Sequence, residues 1–578
     1  MATFPTEGFA ARLTHWQNRW AAWQSGRSHA ATGFVSHPEP RSIGLFARGK
    51  QLMAGNFLLA GHLVESPGTL LWDLPTSAPE FWLEAHGFAW LDDMAAVGDP
   101  IARARAQEWI WAWIARYGRG KGPGWTPDLT GRRLIRWINH AIFLMNGRSS
   151  ADTQRYFRAL SAQTMFLSRR WHASAPGLPR FEALTGLIYA GLALTGMERL
   201  VTPAIAALAR ECEAEIDAHG GLPTRSPEEL LEVFTLLTWA AQALGQADQT
   251  VPQAHRAAIA RIAPTLRSLR HSDGALARFH GGGRGMDGRL DHALAASGVK
   301  AAPGNGPAMG FLRLGAGRTS VIIDAADPPG GHAGASAHAS TLAFEMTSGR
   351  RPVIVNCGSG KPFGIEWHRA GRATPSHSTL SLDGYSSSRL NRGTPEILAD
   401  RAHVTQTRPT ETAEGHALRL AHDGWVGTHG LTHSRLLLLS HDGRQLGGQD
   451  ELTAATPENR ARLAAAITRK GGGEVRFTLR FHLHPDVDAA IDMGGNAVSL
   501  ALKSGEIWIF RHSGSRGLSV EPSVYLEKGR LMPRAAKQIV LSGQVAEFDA
   551  VIGWTLAKAQ DTPLAIRDLE RDDTVYSI

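Results

Sequence analysis

Polar side chains of the kinds that carry out chemistry cluster between Gly334 and Gly384. They are His338, Asn356, Trp367, His368, Arg369, Arg372 and His377. Histidine is the side chain whose charge changes near neutral pH, and it is also a common metal ligand. The cluster therefore indicates a functional site, although each histidine taken alone is also explained as a hydrogen-bonded structural residue.

Three strands are predicted to position this cluster. The segments STLAFEM, RPVIVNC and HSTLSLDG alternate between apolar and polar residues or run apolar throughout, as strands do. The polar residues fall at the ends of these strands and on the connections between them. The sequence thus predicts a site at the edge of a sheet.

Two further histidine groups occur in the second half of the chain. HDGWVGTHGLTHSR contains His422, Asp423, His429 and His433. In RFHLHPDV, His482 and His484 share one face of a predicted strand, because alternate residues of a strand point the same way. Such a pair can share a metal ion or line a pocket, and it can also be two packed polar residues.

The chain divides into a helical half and a sheet half. From about Ile101, seven segments carry apolar residues at spacings of three and four and predict helical hairpins stacked side by side. After His271 a glycine-rich stretch, 272–307, predicts a domain boundary, and beyond Met309 short apolar runs between turns predict antiparallel strands. We therefore predict a leading helical and extended segment over 1–100, a helical domain over 101–300 and a sheet domain over 301–578. The stretch 71–93 is predicted to be extended and rich in turns.

Composition limits the class of protein. The 578 residues are too many for one core and carry a formal charge of +8, which favours an acidic partner. The absence of a Lys/Arg run argues against nucleic acid. Cys212 and Cys357 predict neither a disulfide framework nor a cysteine metal site. No P-loop, GxSxG or HExxH motif occurs, and nothing in the sequence predicts membrane insertion.

Tryptophan is concentrated in the first half, where thirteen of the seventeen lie before Ala240. Aromatic faces can stack on sugar rings, which would suit a glycan groove. The alternative is that these tryptophans pack between helices. The N-terminus lacks the apolar core of a signal peptide, so we expect a cytoplasmic protein, with the periplasm as the alternative.

The order of helices and then strands resembles the heparinase II/III family of polysaccharide lyases, and short motifs resemble it too. Where the family has His-x-His-x-Asp, Asp-Pro-Gly and Ala-His-Asn-Thr, this chain has Ser336-Ala337-His338-Ala339-Ser340, Asn356-Cys357-Gly358 and Ser376-His377-Ser378-Thr379. In the helical half, IDAHGGLPTRSPEELLE resembles the family's DGG and RSP-x-Tyr-His pattern. The resemblance implies an incomplete α/α toroid of helical hairpins, followed by an antiparallel β-sandwich.

The resemblance also implies a structural divalent metal ion, zinc or a similar ion, bound by His338, Asn356 and His377. Asparagine replaces the family's aspartate there, and a neutral oxygen donor should weaken binding of the ion. Catalytic positions have changed as well. The catalytic histidine position falls on Ser336, the tyrosine position falls on or beside Glu229, and the Asn/His position of the toroid lies near Leu178 and Pro179.

Two interpretations follow: either neighbouring residues have rebuilt the catalytic set, or the scaffold has kept its groove and lost the chemistry. In a rebuilt set, arginine would neutralise a uronate carboxylate, Glu229 would act as base and a histidine as acid. The predicted catalytic residues are Arg180, Glu229, His280, His377 and His422. The predicted substrate-binding residues are Arg225, Trp367, Arg372 and His482. Glu229 is also explained as part of an acidic, solvated first turn of a helix.

The function predicted from the resemblance is β-elimination at a uronate of an acidic polysaccharide or oligosaccharide, in the cleft between toroid and sandwich. A base would remove the proton α to the carboxylate, and an acid would protonate the departing glycosidic oxygen. One alternative is a non-catalytic protein that binds acidic glycans in envelope polysaccharide metabolism. Another is a glycoside hydrolase with two facing carboxylates. The oligomeric state is left open.

Overall fold

The computed structural model describes residues 9–28, 30–35, 40–304, 306–391, 396–469, 474–515, 517–545 and 547–561. The chain forms two compact units. The helical unit comprises Met1–Ala218, Leu231–Ala263 and Asp291–Val299. The sheet unit comprises His219–Leu230, Pro264–Leu290 and Lys300–Ile578. Two segments that precede the strands in sequence, 219–230 and 264–290, therefore belong to the sheet unit.

Helices dominate the chain up to residue 297. They are α1 (Phe9–Ser25), α2 (Phe46–Met53), α3 (Pro79–Gly87), α4 (Trp90–Val97), α5 (Pro100–Tyr117), α6 (Pro127–Asn139), α7 (Ala141–Met145), α8 (Ser150–Arg170), α9 (Leu178–Ala193), α10 (Val201–Glu215), α11 (Pro227–Gln246), α12 (Gln253–Ser268) and α13 (Arg289–Ser297). A short hairpin joins β1 (Asn56–Leu59) and β2 (His62–Glu65). Among the described residues, no helix is long and apolar enough to cross a membrane.

The predicted amphipathic helices are confirmed, and their starts and packing follow from the sequence. Asp99 caps α5 by accepting a hydrogen bond from the backbone N–H of Ala102, and Pro100 occupies the first helical position. Helices α6 and α9 cross closely at Gly131 and Gly186, where an added Cβ would lie only 2.2 Å from the Glu182 carbonyl oxygen or 2.4 Å from the Gly131 Cα. Any larger side chain would force these two helices apart.

The described residues beyond α13 form strands and further helices. The strands are β3 (Phe311–Ala316), β4 (Thr319–Asp324), β5 (Phe344–Ser348), β6 (Arg351–Val355), β7 (Leu380–Leu382), β8 (Arg389–Leu390), β9 (Leu398–Asp400), β10 (Val404–Glu411), β11 (Gly415–Trp425), β12 (Leu431–Ser440), β13 (Gln445–Thr453), β14 (Val475–Leu483), β15 (Val487–Asp492), β16 (Ala497–Leu502), β17 (Ile507–Ser513), β18 (Gly517–Tyr525), β19 (Arg534–Val545) and β20 (Asp549–Gln560). The helices among them are α14 (Ile365–Arg372), α15 (Val426–His429) and α16 (Pro457–Arg469).

Two eight-stranded antiparallel sheets carry the core of the sheet unit. One has the order β10-β11-β12-β13-β20-β17-β16-β15, and the other has the order β18-β19-β14-β6-β5-β4-β3, with β7 pairing to β14. Burial alternates strictly along β12, so Leu431, Leu437 and Leu439 enter the core from one face. Phe344 and Trp554, from different sheets, stack with ring centroids 5.8 Å apart. Side chains of both sheets thus share one apolar core.

One sequence prediction about local structure is wrong. The stretch 71–93, predicted to be extended, contains α3 and the first half of α4. Pro79 occupies the first position of α3, and buried Phe81 and Ala85, four residues apart, fall at helical spacing. The glycine-rich stretch after His271, where the sequence predicts a domain boundary, contains a helix, α13, whose apolar face is too short to stand out among the neighbouring glycines.

The tryptophans of the helical unit mainly pack between helices. Trp109, Trp113 and Trp137 are fully buried, and the rings of Trp113 and Trp137 meet edge to face at 5.4 Å. Arg133 lies over Trp113, with its guanidinium carbon 4.3 Å from the ring centroid. The tryptophan excess of the first half is therefore explained largely by packing.

Candidate functional site

His338 and His377 lie in direct contact in the sheet unit. Nδ1 of His338 is 3.0 Å from Nε2 of His377, and the two rings meet edge to face. The exposed fractions of the two residues are 2% and 1%. His338 follows a 3-10 turn that ends at Ser336, and His377 follows another that ends just before β7. Two connections, rather than two strands, bring the pair together.

The hydrogen bonds define which ring nitrogens carry protons. Nδ1 of His377 is 2.9 Å from the carbonyl oxygen of Ala373, so this nitrogen must donate. Nε2 of His377 then accepts the proton of His338 Nδ1. This leaves Nε2 of His338 unprotonated, and no described residue donates a hydrogen bond to it. Each ring is thereby held as a neutral tautomer.

Burial keeps these rings neutral. It lowers the pKa of His377 to about 3 and holds the pKa of His338 well below its ordinary value. Each imidazolium would also repel neighbouring positive charges, which lowers the pKa of both rings further. At neutral pH the pair is therefore an uncharged donor and acceptor pair.

A buried ion pair supports the two rings through His280. The Nδ1 atom of His280 accepts a hydrogen bond of 3.2 Å from the backbone N–H of His338. Its Nε2 is 3.4 Å from Asp324, the last residue of β4. Asp324 is fully buried and accepts hydrogen bonds of 2.6 Å from Arg225 and 2.7 Å from Ser340. Burial alone would raise the pKa of Asp324, but Arg225 and His280 hold it below its ordinary value.

Arg225 is committed to the protein itself. Besides Asp324, its guanidinium donates to backbone carbonyls of Met309, Gly310, Ala326 and Asp327, at 2.7 to 3.1 Å. Its backbone has a φ of +50°, in the left-handed region that non-glycine residues rarely adopt. These contacts position Arg225 as an anchor of the 219–230 segment on β4. The N–H groups of the guanidinium are therefore used within the protein, and none is left to bind a substrate carboxylate.

The Asn356 amide is also fully engaged. Its Oδ1 accepts from the backbone N–H of Ser378 at 3.0 Å, and its Nδ2 donates to Glu345 at 3.4 Å. Glu345 in turn accepts from the backbone N–H of Arg278 and lies 3.4 Å from His271. Asn356 therefore joins a carboxylate network rather than the two histidines.

The donor set does not fit the structural metal ion that the family resemblance implies. His338 and His377 direct a ring nitrogen at each other, and the Asn356 oxygen is used by the backbone. Over the described ranges, no group of three or more His, Cys, Asp or Glu side chains is placed to hold a metal ion.

The remaining predicted residues lie apart from this cluster or serve it indirectly. Arg372 donates to the carbonyls of Ala337 and Gly334, so it supports the loop that carries His338. Nε2 of His482 donates to the Pro375 carbonyl, and its Nδ1 is 2.8 Å from the Ser523 hydroxyl. These contacts brace the turn that precedes His377.

His422 belongs to a second buried hydrogen-bond network, in the core between the sheets, which we call the His422 relay. Its Nδ1 accepts from the backbone N–H of Gly424, and its Nε2 is 3.2 Å from His433, which is bonded to Asp450 at 2.8 Å. Asp450 also accepts from Arg435 and Trp554. Because all of these residues are buried, the relay stabilises the sandwich core.

Three predicted residues lie elsewhere. Arg180, in the helical unit, is bonded to Glu211 and to the Ser174 carbonyl. Glu229 lies partly buried in the first turn of α11. Trp367 on α14 keeps 37% of its surface exposed. The catalytic and substrate-binding roles of all these residues stay predictions.

Sequence reasoning missed Asp324 and Glu345, which organise both networks. A signal was present in each case, because each carboxylate occupies a buried strand, at the end of VIID and inside FEM. A charged residue in a buried strand needs a partner. The partners lie about one hundred residues away in the case of Arg225, so no local pattern identifies them.

Sequence comparison identifies the family of this chain. The profile described as "Heparinase II/III-like, C-terminal" matches residues 299–555. FtsZ-localized protein C of Caulobacter vibrioides is 32% identical over 522 residues, which cover 88% of this chain and 88% of that protein. The chain belongs to the heparinase II/III family.

Solved structures of heparinases have the same fold. The crystal structure of heparinase III superposes with a TM-score of 0.68 at 14% identity, covering 95% of this chain and 90% of that chain. A mutant of the heparan sulfate lyase HepC from Pedobacter heparinus gives 0.57 at 15% identity, covering 96% and 89%. The predicted architecture, an α/α toroid followed by an antiparallel β-sandwich, is confirmed. This heparinase II/III-family chain thus has a polysaccharide lyase-like scaffold.

The neutral histidines predict a pH-dependent stability. Unfolded His377 and His482 would bind protons below about pH 6.5, whereas burial lowers their folded pKa values to about 3 and about 4. The unfolded state therefore binds more protons, and the free energy of unfolding should fall from about pH 6 to about pH 4, by up to about 1.4 kcal/mol per pH unit for each ring. Urea denaturation followed by circular dichroism measures this slope.

His377→Gln, which keeps a donor and an acceptor but does not titrate, should reduce the slope by about one proton. The matched control is His403→Gln. His403 is exposed, and its hydrogen bond to Asp327 raises its pKa, so the ring is charged in both states over most of this range and the slope should not change. An unchanged slope in His377→Gln would show that His377 is not held neutral.

Proposed function

We propose that this chain binds an acidic glycan at the cell-division site without cleaving it, on a scaffold derived from a polysaccharide lyase. The observation that carries the proposal is the closed His338–His377 pair. Both rings are buried and neutral, and three of their four nitrogens are used within the protein. A lyase site needs side chains that are open to substrate and able to exchange protons with it.

The changed residues around the pair support the absence of cleavage. Ser336 stands at the position where the family has its catalytic histidine, and a serine hydroxyl alone is too weak a base for proton abstraction at carbon. Glu229 stands at or beside the family's tyrosine position. Arg225 is a candidate for neutralising a uronate carboxylate, but its guanidinium donates its hydrogen bonds to Asp324 and to backbone carbonyls.

Charge and one exposed aromatic support glycan binding. The chain has a formal charge of +8, which favours an anionic partner. Trp367 on α14 is partly exposed, and the exposed cation Lys361 is near it in sequence. An indole face can stack on the C–H face of a sugar ring while a nearby cation attracts carboxylates. We assign Trp367 as the main sugar-stacking residue of this surface.

A panel of uronate polymers tests this proposal. Pectate, alginate, hyaluronan, chondroitin and heparan sulfate are incubated with a high concentration of protein while the ultraviolet absorbance of a new carbon–carbon double bond is followed. We expect no increase in absorbance, and measurable binding of at least one polymer by titration calorimetry. Trp367→Ala should weaken that binding roughly three- to tenfold.

The matched control is Ile365→Ala, which removes an exposed apolar side chain from the same helix and should leave the affinity unchanged. A sustained rise in absorbance would contradict the non-catalytic proposal. Equal affinities for Trp367→Ala and the unchanged protein would exclude Trp367 as a stacking residue. Failure of every polymer to bind would contradict the glycan-binding half.

The division-site half of the proposal is supported by the relative named FtsZ-localized protein C, whose similarity runs along most of both chains. A fluorescent fusion of this chain, expressed in Caulobacter vibrioides that lacks that relative, should form a band coincident with FtsZ. The same fusion after depletion of FtsZ is the control and should become diffuse. A uniform distribution in cells with intact FtsZ rings would contradict this half alone.

β-Elimination is the second candidate, and the specific observation in its favour is the unprotonated Nε2 of His338. In that reaction Nε2 would take the proton α to a uronate carboxylate, the released electron pair would form the double bond, and the glycosidic C–O bond would break. The departing oxygen would take a proton from solvent or from an acidic side chain. The absorbance assay separates the candidates, because any activity should be lost in His338→Gln.

A further inference from the structure

Helix α1 presents an apolar stripe to solvent. Five side chains that recur at spacings of four, three, four and three residues have exposed fractions of 83, 43, 63, 51 and 51%: Phe9, Leu13, Trp16, Trp20 and Trp23. At 100° per residue these positions fall within an arc of about 80°. Exposure of three tryptophans in one line is uncommon, because such side chains are usually buried. We therefore expect the surface of another molecule to cover this stripe.

The opposite face of α1 is fixed to the helical unit. Its buried positions are small or polar residues: Asn18, Ala21, Ala22 and Ser25. Arg170 donates to the Asn18 side chain at 2.8 Å, and Arg169 donates to the Ser25 hydroxyl at 3.0 Å. Both arginines end α8, against which α1 packs. These contacts hold the aromatic stripe outward, so it is not simply a misplaced core face.

The charged residues of α1 and of the turn that follows it are all basic. Between Glu7 and Glu39 the sequence has no acidic residue, whereas it has three arginines, Arg12, Arg19 and Arg27, all of them exposed. Arg12 and Arg19 lie beside the stripe on the helix. The guanidinium carbon of Arg27 lies 3.4 Å from the ring centroid of Trp23. An aromatic stripe flanked by cations is complementary to a partner surface that has an apolar interior and anionic groups at its boundary with water.

We propose that α1 binds the surface of an anionic lipid bilayer and lies in the plane of the interface. Tryptophan is suited to this zone because its ring is apolar while its N–H can bond water and headgroups. Arginine beside an apolar face adds attraction to anionic lipids. The polar, packed face of α1 stays on the protein, so only the aromatic stripe enters the headgroup and acyl boundary. This binding site is separate from the glycan surface and does not depend on the proposed function.

Vesicle co-sedimentation of the full chain tests the proposal. The protein should sediment with vesicles of phosphatidylglycerol and phosphatidylcholine, and much less with phosphatidylcholine alone. Trp16→Glu with Trp20→Glu should weaken binding about tenfold or more, because both indoles would leave the interface. Arg19→Gln with Arg27→Gln should weaken it about fivefold per charge and reduce its dependence on salt.

The matched control is Ile491→Glu with Met532→Glu, which places the same two charges at exposed apolar residues of the sheet unit. This control should bind vesicles as the unchanged protein does. Because Trp16 and Trp20 are exposed, the thermal unfolding of their double variant should also be unchanged, which separates loss of binding from misfolding.

Three outcomes would overturn the proposal. The first is failure of the unchanged protein to sediment with anionic vesicles. The second is equal vesicle binding by the Trp16→Glu, Trp20→Glu variant. The third is a lipid-free dimer, or binding to polymerised FtsZ, that this variant abolishes while vesicle binding persists; the stripe would then cover a second copy or a protein partner.

Discussion

The carboxylate of Asp324 ends a buried strand, and its need for partners organises the site in the sheet unit. An isolated charge in such a place would be strongly unfavourable. Arg225 supplies the counter-charge, and Ser340 and His280 supply further polar contacts. Because Arg225 and His280 come from segments that precede the strands, this one carboxylate ties 219–230 and 264–290 to β4. His280 then accepts from the backbone of His338, so the orientation of His338 follows from the same contact.

As a result, the polar groups of this site form hydrogen bonds with one another and with the backbone. His338 donates to His377, His377 donates to Ala373, and Asn356 is held between Ser378 and Glu345. Each polar group that the family resemblance assigns to a metal ion has a partner inside the protein. The fold of a polysaccharide lyase can be kept in this way while its polar centre becomes part of the structure. The two proposed binding surfaces, at Trp367 and at the α1 stripe, do not use the residues of this polar centre.

Much of the fold could be predicted from the sequence because its signals are local. Apolar residues at helical spacing identify α5 to α12, and alternation identifies strands such as β14. The prediction failed over 71–93, where proline and aromatic residues suggested turns, although the proline starts a helix there. In the site, the contact of His338 with His377 lies within one cluster that the sequence already marks. The roles of Asp324 and Arg225 depend on a contact between residues 99 apart, which no pattern in a single sequence specifies.

The state of the two histidine rings is the most direct measure of this account. Long-range ¹H–¹⁵N correlation spectra of protein labelled with ¹⁵N-histidine report which ring nitrogen carries the proton, and His338→Gln and His377→Gln assign the two signals. At neutral pH we expect both rings to be neutral, with the proton on Nδ1 in each, as the bonds to His377 and Ala373 require. A charged ring, a proton on Nε2, or the signature of a metal-bound nitrogen at either residue would contradict the closed site.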